Sequence, residues 1–359
     1  MTLLARVRHD LAAVRAQSRL IARLLIAALL SYALAQWWDM PESYWATITA
    51  LVVVQASVGA TLGAGLDRII GTLIGAGVGA LVALGRYRGV SDLLLLAVAL
   101  APLSLLAAVR PTYRIAPITA VIALLAGVNL NAPWIPALHR VAEISLGTAV
   151  GVAVSLVVLP SHARELARAA LARALPLQVD LLRHYLIDLD SVPQSAINAL
   201  NDRFRNEVAQ AEKALVETQH EPGGHTDTLQ SLIRAVRRLH SDILFVGRIT
   251  QSWHGADMPA ALQLRLAALE QALRDVLNAI AAQLAATKAA GPQRVPAVPL
   301  PNLSLGAIDK ALGQLTQALQ TESPSALHEA ALLPVIAQIL RRDLSGLVDT
   351  VSQISSKAL

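Results

Sequence analysis

The apolar positions of this chain follow two patterns, which change over near residue 160. Before that point they form long continuous runs, and after it they form one-sided stripes with helical spacing. Two of the runs, 45–63 and 69–84, are separated only by a short segment that contains the charged pair Asp67-Arg68. Each run is close to the shortest length that crosses a hydrocarbon layer roughly 30 Å thick. The stretch therefore predicts a membrane hairpin that turns at Asp67-Arg68.

Four more apolar runs bring the number of predicted transmembrane helices to six. The predicted spans are 24–38, 45–63, 69–84, 93–109, 115–130 and 139–160. Arginines concentrate in the segments on one side of these spans, while most of the tryptophans fall on the other side. Because positive charge favours the cytoplasmic side, we expect both termini in the cytoplasm. Residues 1–20 are arginine-rich and amphipathic, so they form either an interfacial helix or the start of the first span.

A short sequence pattern occurs twice within the apolar half. Residues 46–50 (ATITA) recur as residues 116–120 (APITA). A set of one arginine and two glycines also recurs, as Arg68, Gly75 and Gly79 and then as Arg140, Gly147 and Gly151. Each unit holds three spans, an odd number, so the second unit must cross the membrane in the opposite sense. The pattern predicts an inverted 3+3 repeat, a transporter arrangement in which the site lies between the repeats near the midplane.

The second half of the chain has the pattern of a soluble helical bundle. Its apolar stripes repeat in steps of three and four, as in Leu262, Leu266, Leu269, Leu273, Val276, Ile280 and Leu284. Such stripes predict helices that pack on one another. We therefore predict an all-α integral membrane protein in three parts: an interfacial helix (1–20), a transmembrane domain (21–160) and a cytoplasmic helical domain (161–359).

Composition and motifs narrow the range of functions. The mean hydropathy of the chain is +0.52. The chain has no cysteine, and this absence excludes a disulfide framework and thiolate chemistry. The sequence contains no phosphate-binding loop and no metalloprotease or serine-hydrolase motif, so we expect neither enzymatic activity nor a metal or cofactor. The net charge of +5 is more consistent with anionic lipid head groups than with nucleic acid as a partner.

Charged residues within apolar segments are the candidates for transport chemistry. A charge at the centre of a bilayer costs about 2.5–3.5 kcal/mol on insertion scales. Arg68 and Arg140 occupy equivalent places in the two repeats, where they either reach the head groups or bind a substrate carboxylate with a bidentate guanidinium. Glu143 follows Arg140 at i+3 and is either a structural ion-pair partner or a proton-coupling group. Thr49 and Gln55 either join helices by hydrogen bonds or contact substrate.

Glycines with helical spacing mark two further predicted faces. These positions are Gly71, Gly75 and Gly79 in the third span and Gly147 and Gly151 in the sixth. Small residues four positions apart form a flat strip that another helix can approach closely. We expect these glycines to pack helices together, with a substrate route along the same seam as the alternative.

Two motifs of the chain resemble a known family. YWATITALVVVQASVGATLGAGLDRIIGT (44–72) and the later R-x2-E-x3-G pattern that ends in LVVLP-x2-AR resemble the fusaric acid resistance (FUSC) and aromatic acid exporter family. The resemblance implies a bacterial inner-membrane protein that exports aromatic or hydrophobic carboxylic acids, for which we expect the proton gradient to be the driving force. It also suggests a substrate contact at Trp45, within the first motif.

The resemblance also carries expectations about assembly and about other functions. Longer members contain the six-span unit twice, so a chain with one unit is expected to form a homodimer, and an accessory efflux subunit is a further possible partner. A distant resemblance to plant aluminium-activated malate channels leaves an anion-conducting channel as the alternative. A third possibility is a non-transporting membrane scaffold that acts through its helical domain.

Overall fold

The computed structural model describes residues 18–125, 134–188, 192–221, 227–250, 260–286, 305–321 and 333–357. Within these residues the chain forms twelve α-helices and no strand. The predicted interfacial helix, residues 1–20, lies almost entirely outside the described residues, as does the end of the predicted fifth span.

The first six helices contain the apolar half of the chain. They are α1 Ser18–Trp37, α2 Tyr44–Val53, α3 Val58–Ala83, α4 Asp92–Val109, α5 Ile115–Leu125 and α6 Ile135–Val157. The other six are α7 Ala163–Leu186, α8 Gln194–Thr218, α9 Asp227–Thr250, α10 Ala260–Ala286, α11 Gly306–Thr321 and α12 Leu333–Lys357. Two single-turn 3₁₀ segments, Leu84–Arg88 and Pro111–Tyr113, follow α3 and α4.

The chain divides into two compact units. The membrane unit comprises Met1–Ala163 together with the short segment His220–Pro222. The helical unit comprises Arg164–Gln219 and Gly223–Leu359. The segment His220–Pro222 thus belongs by its contacts to the membrane unit, although α8 and α9 on either side of it belong to the helical unit.

The helices of the membrane unit differ in length. Within the described residues, α1, α4, α6 and the helix that starts at Val58 are long and apolar enough to cross a membrane. The other two, α2 and α5, are short apolar helices. At 1.5 Å per residue, the ten residues of α2 rise only about 15 Å, which is half the thickness of a hydrocarbon layer.

The predicted hairpin turn at Asp67-Arg68 is wrong. Both residues lie within α3, which begins at Val58, ten positions before Arg68. The chain breaks instead at residues 54–57, where Val54 is extended and the Ser57 side chain accepts a hydrogen bond from the Ala60 N–H. Serine in this position is a strong helix N-cap, so it starts α3 within a run that hydropathy alone assigns to a span. The predicted second span, 45–63, is therefore two helices.

The two predicted repeats make matching contacts across the membrane unit. In the first, α1 packs on α2 and also on α6 of the second repeat. In the second, α4 packs on α5 and also on α3 of the first repeat. The short helices are exchanged in the same way, since α2 packs on α6 and α5 packs on α3.

The recurrent glycines lie where the short helices approach the long ones. A Cβ atom added to Gly75 would overlap the carbonyl oxygen of Ala116 and lie 2.8 Å from the Thr119 Cβ. A Cβ atom added to Gly147 would overlap the carbonyl oxygen of Ala46 and lie 2.9 Å from the Thr49 Cβ. The two contacts match atom for atom at positions that the sequence repeat relates. The other three glycines of the set also face a short helix: Gly71 and Gly79 face α5, and Gly151 faces α2.

The helical unit is organised by the apolar stripes seen in the sequence. All seven apolar positions of the predicted α10 stripe are buried, and so are Leu232, Val236, Leu239, Ile243 and Val246 of α9. These residues belong to one core that extends over α7 to α12. The predicted one-sided burial of these helices is confirmed.

His240 of α9 is a buried polar residue in this core. Its ring stacks on Phe204 of α8 with the ring centroids 3.9 Å apart, and neither ring nitrogen has a hydrogen-bond partner among the described residues. Burial, with the charge of Arg205 as a smaller cause, lowers the pKa of His240 to about 4. The unfolded chain, with an ordinary pKa near 6.5, binds this proton first, so acidification from about pH 6.5 to 4 favours unfolding.

We expect His240→Phe to stabilise the helical unit. The stack on Phe204 is kept and the two unpaired nitrogens are removed, so the melting temperature rises at pH 7. The advantage of the variant grows as the pH falls towards 4, to on the order of 3 kcal/mol in the free energy of unfolding. Thermal unfolding of the full chain in detergent from pH 8 to 5 measures both effects.

Asp242→Asn provides a control with the opposite trend. Burial and a hydrogen bond with the Asp343 carboxyl raise the pKa of Asp242 to about 6. The folded protein therefore binds this proton first, and acidification through pH 6 adds stability that the asparagine variant lacks. The advantage of Asp242→Asn should thus shrink on acidification. A pH-independent difference between His240→Phe and the wild type would contradict the prediction.

Candidate functional site

Arg140 lies at the centre of a buried polar cluster near the start of α6. Its guanidinium pairs with Glu143 at 2.9 Å, one turn further along α6, and with Glu42 from the α1–α2 loop. Glu42 also donates its backbone N–H to Glu143 Oε1 at 2.9 Å and accepts a hydrogen bond from the Trp45 indole at 2.9 Å. The Tyr44 hydroxyl donates to the same Glu42 carboxylate. Two carboxylates therefore share one guanidinium.

Glu42 is a member of this site that the sequence did not reveal. It is separated from Arg140 by 98 positions and lies in a loop that the aromatic residues marked only as a membrane boundary. Partial burial tends to raise the pKa of Glu42, but the hydrogen bonds from Tyr44 and Arg140 outweigh that effect and hold the pKa below its usual value. Glu42 therefore remains ionised beside Arg140 at neutral pH.

Trp45 has a structural partner in the same cluster. The Arg140 guanidinium lies over the Trp45 ring, 5.0 Å from its centroid. This is a cation–π distance, which adds to the two ion pairs in holding the guanidinium. An anionic substrate would reach Arg140 only by displacing one of its carboxylates.

Arg68 has a different environment from Arg140, although the sequence repeat relates them. Only 8% of the residue is exposed, and its Nη2 donates to the Thr49 hydroxyl at 3.4 Å. Its Nε is buried without a hydrogen-bond partner, and no carboxylate among the described residues forms an ion pair with the side chain. Within the part of the chain that the structure describes, Arg68 is thus a buried cation without an anionic partner.

Further unpaired polar atoms lie along the α3–α6 contact that includes Arg68. Gly65, Arg68 and Thr72 share one face of α3 because they are separated by three and four positions. Thr148 of α6 contacts this face, since its methyl group lies 3.1 Å from the Cβ position of Gly65. The hydroxyls of Thr72 and Thr148 are buried without a hydrogen-bond partner among the described residues. We call this face of unpaired polar atoms the polar seam.

Gln55 lies in the break between α2 and α3, apart from the polar seam. Its side chain is exposed and donates to the Val52 carbonyl at 2.8 Å, while its backbone N–H donates to the Thr61 hydroxyl at 2.9 Å. Arg23 of α1, which is 1% exposed, donates to the Ala56 carbonyl at 2.9 Å. Irregular backbone at membrane depth needs such protein partners, because the hydrocarbon supplies none.

A comparison with protein families identifies the chain. The sequence model of the fusaric acid resistance protein family matches residues 18–357, which span both units. The chain belongs to this family. It is therefore a multi-pass membrane protein with a role in transport or efflux. None of the curated proteins compared with the chain matches it.

The structure separates the residues that the sequence grouped as one substrate site. Arg68 and Thr49 contact each other on the polar seam. Arg140, Glu143 and Trp45 form the ion-paired cluster with Glu42, and Gln55 belongs to the helix break. Among its described residues, the membrane unit thus has two distinct polar centres: Arg68 without a carboxylate partner, and Arg140 with two carboxylate partners.

Proposed function

We propose that the protein exports aromatic or hydrophobic carboxylic acids across the bacterial inner membrane, driven by the proton gradient. The observation that carries this proposal is Arg68, a buried guanidinium without a carboxylate partner among the described residues. An unpaired charge buried among transmembrane helices is costly unless a ligand compensates it. A substrate carboxylate would supply that compensation and would form charge-assisted hydrogen bonds with the guanidinium.

The remainder of the substrate would lie against apolar helix surfaces. Thr49 offers a hydroxyl next to the Arg68 guanidinium, so one carboxylate can engage both groups. The buried residues of α2, α3 and α6 are mostly alanine, glycine, valine and threonine. An aromatic or aliphatic body would pack against such mainly apolar surfaces.

The cluster around Arg140 would take up the proton. With both carboxylates ionised, Glu42, Glu143 and Arg140 together carry one excess negative charge, which attracts a cation. Glu143 Oε2 is the atom that pairs with Arg140 Nη1 at 2.9 Å, so a proton added to Glu143 would compete with this ion pair. Protonation would loosen the hold on Arg140, so proton entry and rearrangement of α6 would be coupled.

The exchanged contacts of the two repeats support an inverted 3+3 arrangement for this transport. Equivalent helices in opposite orientation give two related conformations, open to either side, from a single fold. We also propose that two copies associate as a homodimer, since the chain carries one six-span unit. The mass of the full chain in detergent would reveal the association, and a monomer would contradict it.

Transport by purified protein in liposomes tests the proposal. Uptake of benzoate, hydroxybenzoate and aliphatic acids is measured with and without an imposed pH gradient. We expect the wild type to accumulate aromatic acids only when the gradient is present. Glu143→Gln, which cannot exchange a proton, should still bind the acids. The increase in flux that the pH gradient causes should be at least tenfold smaller in this variant than in the wild type.

Asp92→Asn is the matched control for Glu143→Gln. Asp92 forms an ion pair with Arg86 and is half-exposed, so its amide variant should transport normally. Normal proton-coupled flux in Glu143→Gln would refute the coupling role. An anion current through the wild type that does not depend on the pH gradient would indicate the alternative of an anion-conducting channel. The absence of any flux would indicate the non-transporting scaffold.

A further inference from the structure

Glu221, outside the transport residues discussed so far, is a buried carboxylate within the membrane unit. It lies in the connector after α8, in the segment His220–Pro222 that packs with the membrane unit. Its side chain is 1% exposed. Nothing in the sequence distinguished this glutamate from the other acidic residues of the second half.

Two helix N-termini meet at the Glu221 carboxylate. Its Oε1 accepts hydrogen bonds from the Ala163 N–H at 2.7 Å and the Gly59 N–H at 3.2 Å. These amides belong to the first turns of α7 and α3. The first amides of a helix have no partner within the helix and lie at the positive end of its dipole, so each end attracts an anion.

The other oxygen of Glu221 is incompletely satisfied. Oε2 is buried without a hydrogen-bond partner among the described residues, and the nearest cationic candidate is His162 Nδ1 at 3.7 Å. The neighbouring His220 ring covers α3 one turn later, 3.3 Å from the Cβ position of Gly63. The connector thus places a carboxylate on the helix ends and a ring beside them.

The same junction contains the break between α2 and α3. The Val58 N–H donates to the Ser161 carbonyl at 2.9 Å, which ties the start of α3 to the chain that enters α7. In the connection between α6 and α7, Leu159 adopts a left-handed conformation with φ of 47°. A non-glycine residue in this region is strained, which indicates that the junction is held in place by its contacts.

We propose that the Gly59 and Ala163 amides, at the starts of α3 and α7, form a carboxylate-binding site whose resident occupant is Glu221, and that an anionic substrate can displace Glu221 there. The displacement step rests on the proposed transport function, whereas the site itself does not. A substrate carboxylate has the same chemistry as the Glu221 side chain. Glu221 Oε2 is buried without a hydrogen-bond partner among the described residues. A free carboxylate ligand could bring a water molecule to that oxygen, so it would bind the two amides more strongly than Glu221 does.

Chemical rescue of Glu221→Ala tests the site. The full chain is unfolded by heat in detergent with increasing sodium acetate or benzoate, and sodium chloride at equal ionic strength is the reference. We expect a lower melting temperature for Glu221→Ala and a saturable recovery with carboxylates only. Glu212→Ala, which removes an exposed carboxylate from α8, should show neither effect. Equal responses of Glu221→Ala and the wild type to carboxylates would overturn the proposal.

A labelling experiment covers the case in which Glu221→Ala does not fold. The chain has no cysteine, so Ala60→Cys in the first turn of α3 provides a single reporter for a maleimide. Glu221→Gln keeps the size of the side chain but loses the charge, so the reporter should react faster than with Glu221 in place. Added benzoate should slow the labelling of Glu221→Gln, because a bound carboxylate restores a negative charge at the same helix end.

The two experiments separate this proposal from the transport proposal. Unchanged labelling in Glu221→Gln, with no effect of benzoate, would refute the binding site. Neither readout includes a transport step. Rescue and benzoate-slowed labelling without any flux in liposomes would therefore refute the proposed export alone, and flux without rescue would refute the site alone.

Discussion

Arg68→Gln should bind aromatic carboxylates about 10- to 100-fold more weakly than the wild type and should lose export. The estimate follows from the 1.5–3 kcal/mol that a hydrogen bond to a charged group contributes. Arg68→Lys should have intermediate affinity, because it keeps the charge but loses the bidentate geometry of the guanidinium. Benzoate binding to the purified protein, followed by tryptophan fluorescence, measures the affinities.

The same variants distinguish a binding role of Arg68 from a structural one. Arg68 is a buried cation without a carboxylate partner among the described residues, so its neutral replacement should leave the melting temperature unchanged or raise it. A structural arginine would lower the melting temperature when replaced. Arg114→Gln, at an exposed arginine of the same unit, should leave both properties unchanged. Full-strength binding by Arg68→Gln would refute the assignment of the anion site.

Gly75→Ala and Gly147→Ala should each reduce the yield of folded protein severely, whereas Gly77→Ala should not. The added Cβ at either of the first two positions overlaps a backbone carbonyl of a packed helix, and a backbone cannot move aside as a side chain can. Overpacking of this kind costs about 1–3 kcal/mol or more. At Gly77 the same methyl group has no atom within 4 Å, and alanine can add up to about 1 kcal/mol of helix stability.

This comparison also tests the structural repeat. Gly75 and Gly147 meet the same atoms of α5 and α2, so their alanine variants should be destabilised by similar amounts. Folded yield after purification and the melting temperature in detergent measure the three variants. Equal yields for Gly75→Ala and Gly77→Ala would show that α5 does not pack closely on α3.

The contrast between Arg68 and Arg140 shows how a repeat can diverge chemically. The position that corresponds to Glu143 in the first repeat is Gly71, so Arg68 has no carboxylate one turn away. In place of an ion pair, Arg68 has the Thr49 hydroxyl. Two segments that keep matching backbone contacts thus differ in one side chain, which leaves one arginine with a carboxylate partner on its own helix and the other without one.

Glu221 is another residue whose contacts come from a distant part of the chain. The proposed transport residues lie on α2, α3 and α6, whereas Glu221 is contributed by a connector that follows α8 in sequence. Its carboxylate accepts hydrogen bonds from amides at the starts of α3 and α7. If the proposed site exists, the strength of these contacts sets how readily an external acid replaces Glu221.

Local features of the sequence were sufficient to predict which faces of the helical unit's helices are buried. They also predicted where some helices of the membrane unit approach one another closely. The period of the apolar stripes determines which face of α9 and α10 is buried, because burial of one face is the main source of helix stability in water. Glycines four positions apart indicate where a backbone approaches, because only the absence of a Cβ permits it. Residues 46–50 and 116–120, which match in sequence, also lie against the equivalent glycines Gly147 and Gly75.

The positions of the break and of the ion pairs depended on the tertiary structure. Hydropathy reads residues 45–63 as one span, since a helix break inside an apolar run is stable only when distant groups satisfy its backbone. Arg23 and the Ser161 carbonyl do so here, by hydrogen bonds to the Ala56 carbonyl and from the Val58 N–H.

Glu42 and Glu221 also acquire their contacts from distant segments, since Glu42 pairs with Arg140 and Glu221 accepts from the Gly59 N–H. Sequence periodicity describes what one helix needs from its surroundings. Which carboxylate reaches which cation or helix end is decided only when the helices pack, because that choice depends on distances between segments that no local pattern encodes.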